Sequence, residues 1–400
     1  MDSTDILVVG GGLAGLAAAA RLASDGARVI VADKAAPPPV DVAQDGADLR
    51  TTAFLQPAID TLRKAGAWEG MAEGAEALWT MRILDAGGRV NAVRERAEFD
   101  SGEMGERPFG FNVRNTDARR ALEAPLRDLG VEVRAPAGLE RLTLRDDCAF
   151  ALLGDGSTVR AQLVIGADGR DSGVRDAAGI AARRWRYGQK ALVFAVRHPR
   201  PHGGASTEIH RSGGPFTLVP MPDADGWHMS SVVWLERAAE ADRLAALPAE
   251  AFEDALNARS LDLLGRLEVV GRKALYPIIC QISDRMAARR VALMAEAVHV
   301  ISPIGAQGLN MSLADLEDLA GRIAAARAQG RDIGGRDVLS GYQRRRWPET
   351  AARVAGVDAL NRAALAEAQP LRDLRRLGLA AVGRLAPLRR TAMRIGMGMR

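Results

Sequence analysis

The order of apolar and polar residues predicts a strand–helix–strand unit at the start of the chain. Residues Asp5 to Gly10 (DILVVG) form a short β-branched run, typical of a buried parallel strand. Leu13 to Ser24 is alanine-rich and predicts a helix that ends at Gly26. Arg28 to Ala32 repeats the strand pattern. Together these segments predict a βαβ unit.

Longer alternating segments follow in the middle of the chain. Residues 78–90 predict a hairpin, and residues 191–235 contain four alternating runs separated by Gly and Pro, which predict an antiparallel sheet. Val291 to Ala295 returns to the buried-strand pattern, and the chain after about Arg336 is helical in character. The fold class expected is therefore α/β: a Rossmann-like domain interleaved with a sheet-rich domain, followed by C-terminal helices.

Composition narrows the function classes. The chain has 400 residues, of which 48% are hydrophobic and 26% charged, so it is not wholly disordered. The net charge of +4 is too small to indicate nucleic-acid binding. The two cysteines and five histidines show neither a disulfide framework nor a metal spacing, so we expect no metal site. No secretory signal or spanning apolar run stands out, which favours a cytoplasmic protein.

A glycine motif lies between the first strand and its helix. Gly10, Gly12 and Gly15 form G-x-G-x-x-G, in which glycine permits a tight turn, backbone approach to a pyrophosphate and close helix packing. Asp33 ends the second strand, where a carboxylate can accept a hydrogen bond from a ribose hydroxyl. We predict that these residues, with Lys34 beside them, bind a dinucleotide.

Two later segments resemble motifs of the class A flavoprotein monooxygenases. Residues 164–169 with Ser172 and Arg175 resemble the family's G-A-D-G-x-x-S-x-x-R motif, and residues 295–310 resemble its G-D-A-A-H-x-x-x-P-x-x-G-Q-G-x-N motif. The resemblance implies FAD as the cofactor. The residues that it implies for FAD binding are Asp168, Gly169, Glu296, Pro303, Gly305, Gln307, Gly308, Leu309 and Asn310, and Pro303 would also line the reaction site.

The resemblance departs from the family pattern at three positions. Ala295 and Ala306 stand where the family usually has glycine, and Glu296 stands where it usually has aspartate. Glutamate keeps the carboxylate that the family uses to hold the ribityl chain, so we expect FAD still to bind.

Further segments resemble the ubiquinone-biosynthesis hydroxylases of the UbiH/UbiF type. Residues 49–53 (LRTTA) resemble a segment whose arginine, here Arg50, lies close to the flavin, and Arg119 matches a cofactor-contacting position. Residues 187–189 (YGQ) and 214–216 (GPF) resemble the family's substrate-domain strands. Tyr187 and His228 are the candidates for contact with the substrate ring.

The resemblance implies a discontinuous FAD domain of the GR2/PHBH type over 1–75, 100–180 and 280–335, a substrate domain over 76–99 and 181–279, and a helical region over 336–400.

The resemblance also implies the reaction. NAD(P)H reduces FAD, reduced flavin and O2 give a C4a-hydroperoxide, and one oxygen passes to a polyprenylated phenol or benzoquinol. The residues leave two alternatives open: a monooxygenase of a soluble aromatic compound, and a non-catalytic FAD-binding subunit of a biosynthetic complex with other quinone-pathway proteins.

The last 30 residues form a basic, amphipathic tail. Residues 371–400 hold eight arginines against one acid, Asp373, so the rest of the chain is slightly acidic. Such a segment can lie on an anionic membrane, here the inner face of the cytoplasmic membrane, or dock on its own domain with a solvated basic face. Pro387 argues against one continuous helix.

Overall fold

The structure is a computed structural model that describes residues 1–398 except Arg89, Ser212 and Glu367. Its strands are β1 Asp2–Val9, β2 Val29–Ala32, β3 Thr51–Leu55, β4 Glu76–Leu78, β5 Thr80–Asp85, β6 Glu95–Asp100, β7 Gly110–Arg114, β8 Glu132–Arg134, β9 Leu139–Leu144, β10 Ala149–Leu153, β11 Thr158–Gly166, β12 Ala182–His198, β13 Ala205–His210, β14 Pro215–Ala224, β15 Trp227–Arg237, β16 Glu268–Ser283, β17 Ala287–Ala288, β18 Val291–Leu293 and β19 His299–Val300. Its helices are α1 Leu13–Ser24, α2 Gln56–Lys64, α3 Trp68–Ala72, α4 Asn115–Asp128, α5 Gly173–Ala177, α6 Ala238–Ala245, α7 Ala249–Ser260, α8 Gln307–Ala328, α9 Arg336–Leu365, α10 Gln369–Arg384 and α11 Ala386–Met397.

The first sheet forms the centre of the predicted Rossmann-like domain. Its strands run in the order β17-β18-β11-β1-β2-β8, and β1, β2, β8, β11 and β18 are mutually parallel. Strands β9 and β10 extend it as an antiparallel meander from β11. Residues 6–9 of β1 are buried because α1 and α8 contribute to the same hydrophobic core. The predicted βαβ unit is confirmed.

The second sheet has eight strands in the order β19-β16-β12-β15-β14-β13-β5-β6. The four predicted alternating strands are β12 to β15. A hairpin does form from β5, but its second strand, β6, begins at Glu95, beyond the predicted range of 78–90, because the connection spans residues 86–94. The sequence pattern did not single out β16, because Gly271 and Pro277 interrupt it. On the side of β16 away from β12, the described residues pair with it through the short β19, at residues 281–282. Pro277 therefore interrupts no ladder of the described strands on that side.

A small third sheet, β3-β7-β4, lies between the two large ones. The Asn112 amide in β7 donates to the Pro220 carbonyl in β14 (2.8 Å), which ties this small sheet to the second large sheet. The C-terminal region is helical as predicted. The helical conformation is interrupted at Leu385, between α10 and α11, two residues before Pro387.

Candidate active site

Three chain segments meet at one edge of the first sheet. β1, β11 and β18 are parallel neighbours, and the register pairs Val9 with Gly166 and Gly166 with Leu293. The residues that follow these strands therefore lie side by side at the carboxyl ends, where open α/β sheets bind ligands. This edge, called here the ligand edge, brings together the glycine motif, Asp168 and Glu296.

Two glycines of the motif are required by the protein's own packing. A Cβ atom on Gly10, whose φ is +116°, would lie 2.2 Å from the Ala167 carbonyl oxygen. A Cβ atom on Gly15 would lie 1.9 Å from the Gly10 carbonyl oxygen. Gly12 differs, because its φ is an ordinary −74° and no other group lies within 4 Å of its Cβ position. Gly12 thus keeps open a surface that a ligand can approach.

Asp33 and Arg119 both face the glycine loop. The Asp33 carboxylate accepts hydrogen bonds from the Gly11 amide and from the Ala35 amide (2.8 Å). Arg119 in α4 donates to the Gly11 carbonyl (2.5 Å) and pairs with Glu123 (3.1 Å). The guanidinium therefore lies against the glycine loop. Lys34 follows Asp33 and is exposed.

Asp168 shapes the turn after β11. Its carboxylate accepts from the Ser172 hydroxyl and from the Val174 amide (3.1 Å), and Ser172 caps α5 by accepting from the Arg175 amide (3.0 Å). Gly169 has a φ of +86° and has open space at its Cβ position. The structure thus places Asp168 as a turn-forming residue beside the ligand edge.

At the three positions that depart from the family pattern, the structure shows the backbone conformation of the two alanines and the exposure of the glutamate. Ala295 has a φ of +56° and Ala306 a φ of +54°, so both alanines adopt the left-handed conformation that favours glycine. Between them, Glu296 is exposed, with its carboxylate at the edge of the sheet. The alanines keep the backbone turns that glycine would form, and Glu296 keeps a carboxylate available.

Residues 301–306 form a loop, called here the 301–306 loop, that leads into α8. Pro303 is exposed, Gly305 has a φ of +66°, and Leu309 packs partly against the core. Asn310 fastens α8 to β3, because it accepts from the Leu55 amide and donates to the carbonyls of Ala53 and Ala306, at 2.7–2.8 Å.

Gln307 ties the same region to the C-terminal tail. Its side chain donates to the carbonyls of Gly305 (2.9 Å) and Gly396 (2.8 Å), and it accepts from Arg353 of α9. The last helix, α11, therefore touches the start of α8 directly. Gly308, in the first turn of α8, has open space at its Cβ position.

Arg50 connects the first domain to the second sheet. It forms a two-bond ion pair with Asp48 (2.8 Å each), and its guanidinium lies over the Tyr276 ring of β16, 5.4 Å from the centroid. Hydrogen bonds to Asp48 raise the pKa of Arg50 against the opposing effect of burial, and the charge of Glu296 adds to this. Arg50 is thus a permanent cation between the sheet edge and the second sheet.

The face of the second sheet that points toward Arg50 is apolar. Its residues include Ala191, Val193, Leu235 and Ile278, with Tyr187, Val233 and Tyr276 packed against them. The Tyr187 hydroxyl donates to Asp358 of α9 (2.5 Å), and burial followed by this bond raises the Tyr187 pKa. Tyr187 therefore stays a neutral phenol, held in place by α9.

The structure separates His228 from this face. In β12 and β15, Gln189 pairs with Arg237 at one end of the ladder, whereas His198 pairs with His228 at the other. His228 also lies an even number of residues from Val232 and Trp234 in β15, so the three side chains share one face of the strand. Val232 and Trp234 pack toward α6 and α7 on the opposite side of the sheet. The strand register thus corrects the expectation that Tyr187 and His228 contact one ring: His228 instead bonds Asp223 (2.9 Å).

The ligand edge suits a dinucleotide that carries negative charge. α1 and α8 both begin without a side-chain cap and without an acidic residue in their first turn, so the amides there are open to an anion. Gly12 and Gly308 leave the approach to both helix ends clear. Arg50, Arg119 and the exposed Glu296 add polar groups along the same edge.

Comparison with known proteins identifies the family. The model of the FAD binding domain family matches residues 3–356, so the chain belongs to this family, and FAD is its cofactor. The chain is 37% identical to a ubiquinone hydroxylase, UbiL, of Rhodospirillum rubrum, over 98% of the chain and 89% of the relative. It is 30% identical to 3-demethoxyubiquinol 3-hydroxylase of Escherichia coli, over 99% of both.

A solved structure shares the fold. The p-nitrophenol 4-monooxygenase PnpA from Pseudomonas putida superposes with a TM-score of 0.79 at 19% identity, and the match covers 100% of both chains. The expected α/β architecture with an interleaved sheet domain is confirmed.

Several site residues escaped the sequence reasoning. Asp48, Tyr276, Asp358 and Asn361 all contact predicted residues, but each is a single polar residue in an otherwise ordinary segment. Only Asp48 has a local signal, because it lies two residues before Arg50. Among the described residues, no group of His, Cys, Asp and Glu has the arrangement of a metal site.

Proposed function

We propose that the protein is an FAD-dependent hydroxylase of a prenylated phenol or benzoquinol ring in ubiquinone biosynthesis, with NAD(P)H and O2 as co-substrates. One observation supports this most: the apolar sheet face adjoins the 301–306 loop and α8, because Tyr187 of the face and Ile301 of the loop pack against one buried cluster that includes Met311 of α8. We expect a flat, lipophilic ring to bind where these surfaces meet. The names of the two relatives point to the same chemistry.

Bound FAD supplies the redox chemistry, carrying electrons from NAD(P)H to O2. The chain's residues bind and orient. The glycine loop, Asp33 and Arg119 would hold the adenosine and pyrophosphate, and Glu296 the ribityl hydroxyls. The first turn of α8 would face the pyrimidine end of the flavin, where a positive helix end stabilises negative charge.

On the substrate side, we expect Tyr187 to position the ring without donating a proton to it. Tyr187 donates its hydroxyl hydrogen to Asp358, so it can offer the ring only an acceptor oxygen. The aliphatic residues of the sheet face exclude water from the ring. The full coverage of relatives named as hydroxylases does not favour the non-catalytic alternative.

The test is quinone profiling in a strain that lacks the gene. We expect ubiquinone to fall and one under-hydroxylated prenylated precursor to accumulate, with recovery on expression of the wild-type chain but not of a Gly12→Asp variant. Ubiquinone at its normal level, together with NAD(P)H oxidation by the purified enzyme that small soluble phenols stimulate, would instead support the soluble-substrate alternative.

We also propose that α10 and α11 rest on an anionic membrane surface. Among the described residues, no helix is long and apolar enough to cross a membrane. The tail docks on the protein through both ion pairs and apolar contacts: Arg375 bonds Asp85 (2.8 Å), Arg389 bonds Glu103 (2.8 Å), and Met393 and Met397 are buried. Arg400 of the tail lies outside the described residues.

The opposite side of α10 is apolar and open. Leu371, Leu374 and Leu377 are 53%, 64% and 59% exposed and lie on one helical stripe, and Leu388 and Ile395 of α11 are exposed as well. Exposed arginines at 384, 390 and 394 accompany them. Apolar side chains with flanking arginines suit the interface of an anionic bilayer, where a prenylated substrate resides.

Vesicle sedimentation tests this proposal. The wild type should bind vesicles of phosphatidylglycerol and phosphatidylcholine, and the triple variant Leu371→Ser/Leu374→Ser/Leu377→Ser should bind them far less. The matched control is Leu360→Ser, which changes an equally exposed leucine of α9 outside the tail. Equal binding by the triple variant and the wild type would refute a lipid-facing stripe.

A further inference from the structure

A chain of three buried polar side chains joins the 301–306 loop to the substrate-domain sheet. The Ser302 hydroxyl donates to Asn361 Oδ1 (3.2 Å), Asn361 Nδ2 donates to Gln189 Oε1 (2.9 Å), and Gln189 Nε2 donates to the Gly213 carbonyl (2.8 Å). We propose that Ser302, Asn361 and Gln189 are positioning residues that set the spacing between the flavin-facing loop and the sheet that holds the substrate ring.

The burial of these residues makes each hydrogen bond obligatory. Ser302 and Asn361 are 0% exposed and Gln189 is 3% exposed. A buried amide that loses its partner costs about 1–3 kcal/mol, because no water replaces the lost bond. The three residues therefore favour one arrangement of loop, helix and strand.

The direction of the hydrogen bonds is fixed at one end. The Gly213 carbonyl can only accept, so Gln189 must turn its Nε2 toward Gly213 and its Oε1 toward Asn361. Asn361 must then donate through Nδ2, which leaves Oδ1 to accept from Ser302. An acid in place of Asn361 would set two acceptors against each other, although its shape is the same.

Helix α9 holds the neighbouring tyrosine in the same way. Gly188, with a φ of +68°, lies in a bulge of β12, between Tyr187 and Gln189. Asp358 binds Tyr187, and Asn361, one helical turn later, binds Gln189. The bulge turns both side chains toward α9, which makes this helix the common support of the ring-binding strand and the loop.

The position of Ser302 connects this support to the flavin. The next residue is Pro303, and the loop then continues through Gly305 into α8. A displacement of about 1 Å between reacting groups can lower a rate up to about 100-fold. A buried link that ends at Ser302, one residue before the exposed Pro303, is well placed to prevent such a displacement.

Three variants test the proposal in the FAD-loaded enzyme. Ser302→Ala removes the loop contact, and Asn361→Asp keeps the contact with Ser302 but opposes Gln189. Ser260→Ala is the control, because Ser260 is also 0% exposed and its hydroxyl donates to the Asn257 carbonyl (3.0 Å) on the far side of the sheet.

The first readout needs only FAD and so does not depend on the identity of the aromatic substrate. Both test variants should change the visible circular dichroism of bound flavin and weaken FAD binding about two- to tenfold, the worth of one buried hydrogen bond. In turnover, they should release a larger share of the electrons from NAD(P)H as hydrogen peroxide. Ser260→Ala should lower the thermal midpoint without these changes.

A purely structural role would give a different result. If both test variants lower the thermal midpoint as Ser260→Ala does, but keep the wild-type flavin spectrum, FAD affinity and peroxide yield, the proposal is wrong. The same outcome would leave the hydroxylase function itself intact, because quinone profiling tests that function separately.

Discussion

The Arg50 guanidinium lies over the Tyr276 ring and thereby connects the segment before β3 to the second sheet at the candidate active site. Arg50 precedes β3 of the small sheet, whereas Tyr276 lies in β16 of the second sheet. Because Arg50 is also paired with Asp48, the ring and the carboxylate fix the guanidinium between them.

A double-mutant cycle should measure this contact. In a cycle that combines Arg50→Met with Tyr276→Leu, the coupling free energy should be about 0.5–1 kcal/mol, because the leucine removes the π face. The free energies come from urea unfolding of the FAD-loaded protein. Tyr276→Phe keeps the ring and should show almost no coupling. Equal coupling for both substitutions would mean that the hydroxyl, and not the ring, interacts with Arg50.

Restoring glycine at the left-handed positions should stabilise the protein. Ala295→Gly and Ala306→Gly each remove the strain of a positive φ, which exceeds the entropic cost of glycine by about 0.5–1 kcal/mol. We expect a small rise in the thermal midpoint from each. Ala297→Gly, in the same turn but without a positive φ, should lower it; a fall for all three would contradict the strain argument.

Stability should fall as the pH decreases through the ordinary pKa range of histidine. His198 is fully buried, and its burial is the main reason why its pKa lies below the ordinary 6.5. The charges of His202 and His228 lower this pKa further, whereas the hydrogen bond to the Arg200 carbonyl and the charge of Asp223 oppose the shift. The unfolded chain then takes up the proton first, so this contribution to stability is complete above pH 6.5 and is lost as the pH falls.

Thermal midpoints between pH 7.5 and pH 5.5 check this pH dependence. The His198→Gln variant can still donate to the Arg200 carbonyl and accept from Ser230, but it does not titrate. Its midpoint should therefore depend less on pH than that of the wild type. Parallel profiles would exclude His198 as the titrating group.

Loss of one buried carboxylate should release the tail helix. Asp85 is 0% exposed and bonds both Arg94 and Arg375 at 2.8 Å. Asp85→Asn removes the counter-charge of Arg375, whereas Arg94 keeps its ion pair with Asp373. Removing one partner of a buried pair costs up to about 3–5 kcal/mol. Limited proteolysis should cut within residues 366–398 at least about tenfold faster.

Glu95→Gln is the control for that experiment. It breaks the 3.4 Å contact with Arg384, whose side chain is 75% exposed, and such surface pairs contribute little. Its cleavage rate should match the wild type. If Asp85→Asn also matched the wild type, the docking of α10 would depend on its apolar contacts with β6 and not on Asp85.

Local patterns made much of the fold and of the cofactor edge predictable. The glycine motif and Asp33 follow the ends of short buried strands, so their spacing predicts a dinucleotide site. Residues 301–306 were singled out differently, through the resemblance of residues 295–310 to a family motif. The same reasoning could have placed His228 on the other face, because it shares parity with Val232 and Trp234. Asn361 and Asp358 were not predictable, since their partners lie about 170 residues away.

The hydrogen bond from Gln307 to the Gly396 carbonyl has a consequence for the boundaries of the protein. The family match ends at residue 356, yet a backbone carbonyl near the C-terminus helps to hold the entrance of α8. A chain shortened to residues 3–356 would lose the carbonyl that Gln307 binds at the start of α8, although the glycine motif and residues 295–310 remained.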